Sequence, residues 1–253
     1  MNTINDFITD FKNSLLVERI CSKYDVIMIW LSGSNVIGLA DNTSDYDLGV
    51  LVADPITFSK TEKTTESYKY KKNFKDVQCI YNSFEDIKAL PCEGYLAPYR
   101  HLGWAQLKYL TKDHIIYLNP KYETIVATLL EHKECIAENA MQSFLAFFTP
   151  AMQTVSQNIN YVQVVEWGKM LSHICWCVEE LQNVTHDFEK LMILKRLFQR
   201  GIVRRPMAND LLMYAASKLE WAQQYLASCP DYSEKIESIL TPLWESVSTY
   251  EVE

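Results

Sequence analysis

The chain has 253 residues, with 24 Lys+Arg against 32 Asp+Glu and a formal net charge of −8. An apolar fraction of 48% with 22% charged residues excludes a disordered or low-complexity chain, and the length suits one large domain or two small ones. No segment approaches the roughly 18 apolar residues of a membrane span, and the acidic balance disfavours a protein that coats nucleic acid through bulk charge, though not a local basic groove.

The opening Met1-Asn2-Thr3-Ile4-Asn5-Asp6 lacks a basic stretch followed by an apolar run, so no signal peptide is expected. Seven Cys are scattered, and Cys175-Trp176-Cys177 has one intervening residue where redox or zinc pairs have two. Reduced thiols, no structural zinc and a cytoplasmic location are the expectation.

Apolar residues at helical spacing, from Ile4 through Phe7, Phe11 and Leu15 to Ile20, predict one helix from about Asn5 to Ser22. The unbroken run Val26-Ile27-Met28-Ile29-Trp30-Leu31 fits a strand buried on both faces. It stops at Ser32-Gly33-Ser34, and Asn35 to Leu39 is expected to begin a short helix. After the turn cluster Asp41-Asn42-Thr43-Ser44, a second strand is expected over Tyr46–Val52, closed by Asp54-Pro55. The polar stretch 57–75 reads as a loop with an edge strand near Tyr68-Lys69-Tyr70. A third strand is expected over Val77–Tyr81, a capped helix start at Asn82–Ile87 and a short strand at Ile115–Leu118.

Beyond Tyr122 the spacing turns helical, with helices expected at about 121–135, 137–157, 161–183, 187–200, 207–227 and 232–248. Breakers are expected at Pro150, Gly201, Pro206 and Pro230. The plan is an α/β (α+β) unit with a mixed sheet over residues 1–119, followed by an all-α helical domain over 120–253.

Chemistry concentrates between Leu31 and Leu48. Where a buried strand ends in Gly33-Ser34, backbone amides can face a phosphate without Cβ obstruction, and Ser34 adds a hydroxyl donor. A helix opening at Asn35 would add a favourable dipole. Asp45 and Asp47 open the next strand. Side chains two apart on a strand share a face, about 6.6 Å apart along the chain. Two carboxylates so placed suit hard cations. Mg²⁺ is commonly held by one or two carboxylates plus substrate phosphates, and paired ions can activate an attacking oxygen and stabilise a leaving pyrophosphate. A third carboxylate from a neighbouring strand would complete such a site. Asp76 is the best candidate, with Glu62, Glu66, Glu85 and Asp86 as rivals.

Taken together, these residues resemble the nucleotidyltransferase superfamily of DNA polymerase β, whose signature is Gly-Ser, Asp-x-Asp and a distal Asp. More narrowly they resemble the predicted nucleotidyltransferases associated with RNA repair. Those share Gly-Ser, Gly-Leu-Ala and Ser-Asp-Tyr-Asp-Leu, matching Gly33-Ser34, Gly38-Leu39-Ala40 and Ser44–Leu48 here. The resemblance also expects an Asp opening a strand, as at Asp76–Tyr81, and a helix with Lys, three residues, then His, as at Lys169–His173. This chain departs at Asn35, Gly49 and Trp176, where those relatives usually carry Arg, and at Ile37, where they carry an aromatic residue.

The resemblance implies a nucleoside triphosphate substrate, with transfer of its nucleoside monophosphate to an acceptor hydroxyl, an RNA end or a protein side chain. Asp45, Asp47 and Asp76 would hold two Mg²⁺ ions, with Mn²⁺ as substitute. Gly33, Ser34, Lys169 and His173 would bind nucleotide. A nucleotide-binding regulatory module without catalysis is the alternative.

Other features have plainer readings. Lys195, Arg196, Arg200, Arg204 and Arg205 read as a helix end or solvated face before an acceptor-docking patch. Lys69, Lys71, Lys72 and Lys75 either guide phosphates or solubilise an edge strand. His101, His114, His132 and His186 show no ligand spacing, and Cys175 and Cys177 read as small hydrophobes.

Overall fold

The computed structural model describes residues 4–42, 44–53, 65–70, 75–83, 102–157, 164–199, 209–229, 238–243 and 245. The chain divides into two compact units, residues 1–139 with 232–253, and residues 140–231.

The first unit carries a five-stranded mixed sheet. Its strands are β1 (Val26–Ser32), β2 (Tyr46–Val52), β3 (Thr65–Lys69), β4 (Asp76–Asn82) and β5 (Ile115–Leu118), in spatial order β3-β4-β2-β1-β5. Only β2 and β4 run parallel; the other neighbours are antiparallel. The expected strands are therefore all present, with the Lys69 strand at the edge. In place of one amino-terminal helix there are two, α1 (Ile4–Lys12) and α2 (Leu15–Lys23). The break falls at Asn13-Ser14, where the Ser14 hydroxyl caps α2 by accepting from the Val17 amide at 3.4 Å. Helical periodicity alone does not register such a break, because the apolar stripe continues across it.

Strand alternation sorts the sheet into two faces. Ile29 and Leu31, Leu48 and Val50, and Val77, Cys79 and Tyr81 share a core with Phe7, Phe11, Val17 and Ile20 of α1 and α2. The intervening residues Trp30 and Ser32, Asp47 and Gly49, and Gln78 and Ile80 point the other way, in register across three strands. Tyr46 belongs to the core face, stacked on Phe7 with ring centroids 3.8 Å apart. Such a pair adds about 0.5–1.5 kcal/mol beyond area burial and fixes which way Asp45 and Asp47 face.

Helices α3 (Glu123–Glu131) and α4 (Lys133–Gln157) follow the last strand. Pro150, expected as a breaker, lies inside α4. In the second unit α5 (Val164–Gln182) packs against α6 (Phe188–Gln199) and α7 (Asn209–Ser228). The helix start expected at Asn82–Ile87 lies mostly outside the described residues, although Asn82 itself ends β4. Most of the helix expected at 232–248 also lies outside them, with 238–243 helical.

The second unit is held by a buried polar cluster. Asn183 takes a positive φ of 53° and ends α5, and its turn returns the chain to Glu179 and Glu180. Glu179 accepts from the Tyr214 hydroxyl at 2.7 Å and from the Asp187 amide at 3.2 Å, and lies 3.3 Å from His186 Nδ1. His186 Nε2 bonds Glu180, and its ring stacks on Trp176. Burial alone would push this imidazole down. The hydrogen bond and charge of Glu180, followed by those of Glu179, outweigh it and hold His186 above the ordinary value of 6.5. Its cation then stabilises the fold fully below that value, and the contribution disappears as pH rises through the raised folded pKa. The urea midpoint is expected to fall as pH rises from 6.5, and His186→Gln is expected to flatten that slope. An unchanged slope in the variant would contradict the assignment.

Candidate active site

The site is built where β1 ends and β2 begins. Gly33-Ser34-Asn35 forms one turn of 3-10 helix, not the start of the expected helix at Asn35–Leu39, so no helix dipole contributes here. Gly33 has φ +74°, which an L side chain adopts only at a cost. A Cβ there would stand 1.9 Å from Asp47 Oδ2. The turn therefore presses directly on the Asp47 carboxylate, which explains a glycine at this place on two independent grounds.

Three further hydrogen bonds fix the same corner. Ser32 Oγ donates to the Asp47 carbonyl at 3.4 Å. Asn35 Nδ2 donates to the Asp45 carbonyl at 2.7 Å. The Gly33 amide donates to Gln106 Oε1 at 2.6 Å. Asn35 thus ties the turn to the segment that leads into the carboxylate strand. Gln106, from a segment that strand and motif reading passes over, lies 4% exposed in a 3-10 turn at Gln106–Tyr109. Ahead of the carboxylates, Asp41 and Ser44 close a local loop, the Asp41 amide donating to Ser44 Oγ at 2.9 Å. Lys75 joins it by donating to the Asp41 carbonyl at 3.4 Å and lies over the Tyr46 ring.

Asp47 on β2 and Asp45 just ahead of that strand are both half-buried. Asp47 is level with Gln78 across the parallel β2–β4 pair, so Asp76, two residues earlier on β4, belongs to the same face and the same end of the sheet. Asp76 forms an ion pair with Lys69 of β3 at 2.7 Å, both side chains about half exposed or more (48% and 64%). Among the described residues no group of three His, Cys, Asp or Glu side chains is gathered closely enough to hold a metal. The chemistry of the donors nevertheless fits a hard divalent ion, with Asp47 at the start of β2, Asp45 just ahead of it, Asp76 at the same end of β4 and an adjoining turn with no Cβ. The Lys69 pair is no strong obstacle, since exposed ion pairs contribute only about 0–1 kcal/mol.

Gly49 has a packing reason for lacking a side chain. A Cβ there would meet the Trp30 indole at 2.2 Å, and Trp30 in turn contacts Trp104 at a centroid distance of 5.8 Å. Ser34 is buried, and its carbonyl accepts from the Leu39 amide at 3.0 Å.

Lys169 and His173 lie on α5 in the second unit. His173 is 5% exposed. Burial first, then the charges of Lys169 and Lys195, lower its pKa to about 3 against a hydrogen bond to the Lys169 backbone. It is therefore a neutral imidazole at physiological pH. Trp176 is fully buried in that unit. Lys195, expected on a solvated face, is 3% exposed, whereas Arg196 is exposed. Arg200, Arg204, Arg205, Lys71 and Lys72 lie outside the described residues. Cys175 and Cys177 are buried thiols whose pKa values burial raises, as their reading as hydrophobes requires.

Residues 14–93 match the family model of the nucleotidyltransferase domain. That span contains the Gly-Ser turn, both carboxylates of β2 and Asp76. A comparison with curated proteins finds no match to the chain. Among the described residues no helix is long and apolar enough to cross a membrane. Cys21, Cys79, Cys135, Cys175, Cys177 and Cys229 are outside any disulfide.

Gly33→Ala is expected to destabilise the protein by about 1–3 kcal/mol, because strained backbone and a carboxylate collision add. Chemical denaturation would measure this; a loss below about 0.5 kcal/mol would show that the turn is not held against Asp47.

Proposed function

We propose that the protein is a metal-dependent nucleotidyltransferase that moves a nucleoside monophosphate from a nucleoside triphosphate to an acceptor hydroxyl and releases pyrophosphate. The observation that carries this reading is the Gly33 turn seated on Asp47 at the start of β2, with Asp45 just ahead of that strand. The nucleotidyltransferase-domain match over residues 14–93 supports it independently.

In this reading the acceptor oxygen bonds the α-phosphorus, the bond from that phosphorus to the bridging oxygen breaks, and pyrophosphate leaves with the electron pair. Mg²⁺, when bound, would polarise the α-phosphoryl group and neutralise charge on the leaving pyrophosphate. Asp45 and Asp47 would hold two ions, and Asp76 would leave Lys69 to share one and take the acceptor's proton. Lys69, freed, would then stand beside the phosphates. Ser34 would donate its hydroxyl to a phosphate oxygen at the Gly33 turn. Lys169 and neutral His173 would contribute nucleotide contacts, His173 by hydrogen bonding and not by charge. Catalysis of this type depends mainly on positioning and charge neutralisation.

The acceptor is an RNA end or a protein hydroxyl. A net charge of −8 favours a short end or a protein over a long nucleic-acid track. We assign the catalytic work to a domain of residues 1–119, followed by a helical domain of residues 120–253, in a cytoplasmic protein. The Lys69–Asp76 ion pair favours one rival, a nucleotide-binding module without catalysis.

Incubation with α-labelled triphosphates, Mg²⁺ or Mn²⁺, and RNA or cell lysate discriminates between them. Label transfer is expected, with a loss of at least a hundredfold in Asp45→Asn/Asp47→Asn, about 2.7 kcal/mol of barrier. Nucleotide-dependent thermal stabilisation without transfer by the unsubstituted protein would establish the module instead.

A further inference from the structure

We infer that Gln106 is a positioning residue for the carboxylate pair, holding the Gly33 turn so that Asp47 keeps one orientation. The inference rests on the reading of this site as a metal and nucleotide centre, and extends it to a side chain 73 positions from the turn.

The Gln106 carboxamide oxygen accepts from the Gly33 amide at 2.6 Å, and the side chain is 4% exposed. Bulk water therefore competes poorly for this bond, and losing the acceptor would strand a backbone donor. Gly33 in turn has no freedom towards the sheet, because the Asp47 carboxylate occupies the space of a Cβ. The carboxamide oxygen thus lies no more than about 7 Å from that carboxylate. Moving Gly33 would reopen that space and release Asp47 to other rotamers.

Gln106 is itself anchored. Two residues earlier, Trp104 is 1% exposed and packs on Trp30, whose ring covers Gly49 on the strand that carries Asp47. The segment is fixed to the sheet by its indole and reaches the turn with its carboxamide. A neutral acceptor suits this place, since a carboxylate so close would repel or compete with Asp47.

A consequence follows for phosphate recognition. The Gly33 amide, which a Gly-Ser turn would ordinarily offer to an anion, is committed to Gln106. The triphosphate is read by other donors of the turn, Ser34 among them, while Gly33 shapes the carboxylate.

The test combines Mn²⁺ titration by water-proton relaxation, amide exchange at Gly33 and label transfer, for the full chain and for Gln106→Met and Gln106→Glu. Methionine keeps the volume and removes the oxygen acceptor; glutamate keeps an acceptor. Gln106→Met is expected to weaken Mn²⁺ binding at least fivefold, to accelerate Gly33 exchange at least tenfold and to lower kcat more than it raises KM for the triphosphate. Gln106→Glu, which keeps an acceptor, is expected to restore Gly33 protection, while its added carboxylate leaves Mn²⁺ affinity different from the parent's. In the unsubstituted protein, Gly33 is expected to stay protected and keep its amide resonance when Mn²⁺ and a non-hydrolysable triphosphate bind.

Mn²⁺ affinity of Gln106→Met within twofold of the parent would overturn the role of Gln106, as would a Gly33 resonance that shifts on triphosphate binding. The shift needs no variant and so does not depend on whether one folds. A parent protein that binds Mn²⁺ with the expected Gln106 dependence but transfers no label would overturn the catalytic reading alone. A parent protein that binds no Mn²⁺ would overturn both.

Discussion

A backbone turn and a carboxylate share one volume at the end of β1. Gly33 leaves empty the space that Asp47 fills, and a methyl group there would lie 1.9 Å from the carboxylate oxygen. Much else in the first unit serves that contact. The antiparallel pairing of Ser32 with Asp47 sets the register, and Tyr46 on Phe7 decides the face. Asn35 ties the turn to the Asp45 carbonyl. Slipping β2 by one residue would turn Asp47 into the core and Tyr46 out of it, so burial alone demands this register.

Aromatic packing is the second recurring feature. Gly49 leaves room for Trp30 in the first unit, and Trp176 fills the core of the helical unit beside His186. At Asn35 a carboxamide braces the backbone ahead of β2. In the second unit Glu179 and Glu180 are buried and still charge-compensated, because His186 and Lys218 reach them.

The strands and the carboxylates were legible in the sequence because each had a local signature. An apolar run rich in β-branched residues marked β1, and Ser-Asp-x-Asp leading into Leu48–Val52 marked β2 and the place of Asp45 and Asp47. The distal Asp76 was legible only as a position on the right face, since its pairing with Lys69 depends on an edge strand whose register the sequence does not encode. The helix break at Ser14 was lost because periodicity persisted through it, whereas the spacing that predicts a helix over 137–157 holds in α4, where the helix overrides the local breaker Pro150. Gln106 and the Glu179–His186–Glu180 cluster left no local signal. A glutamine 73 residues from its partner and a histidine six or seven from its glutamates gain meaning only when the backbone returns to them.

The central claim concerns where the metal and phosphates meet. A crystal of the unsubstituted protein grown with Mn²⁺ and a non-hydrolysable nucleoside triphosphate, with data collected at the manganese edge, tests it most directly. An anomalous peak about 2.1–2.3 Å from oxygens of Asp45, Asp47 and the triphosphate is expected, with Asp76 turned from Lys69 towards the site. Nucleotide bound elsewhere, or manganese with no contact to Asp47, would contradict the account.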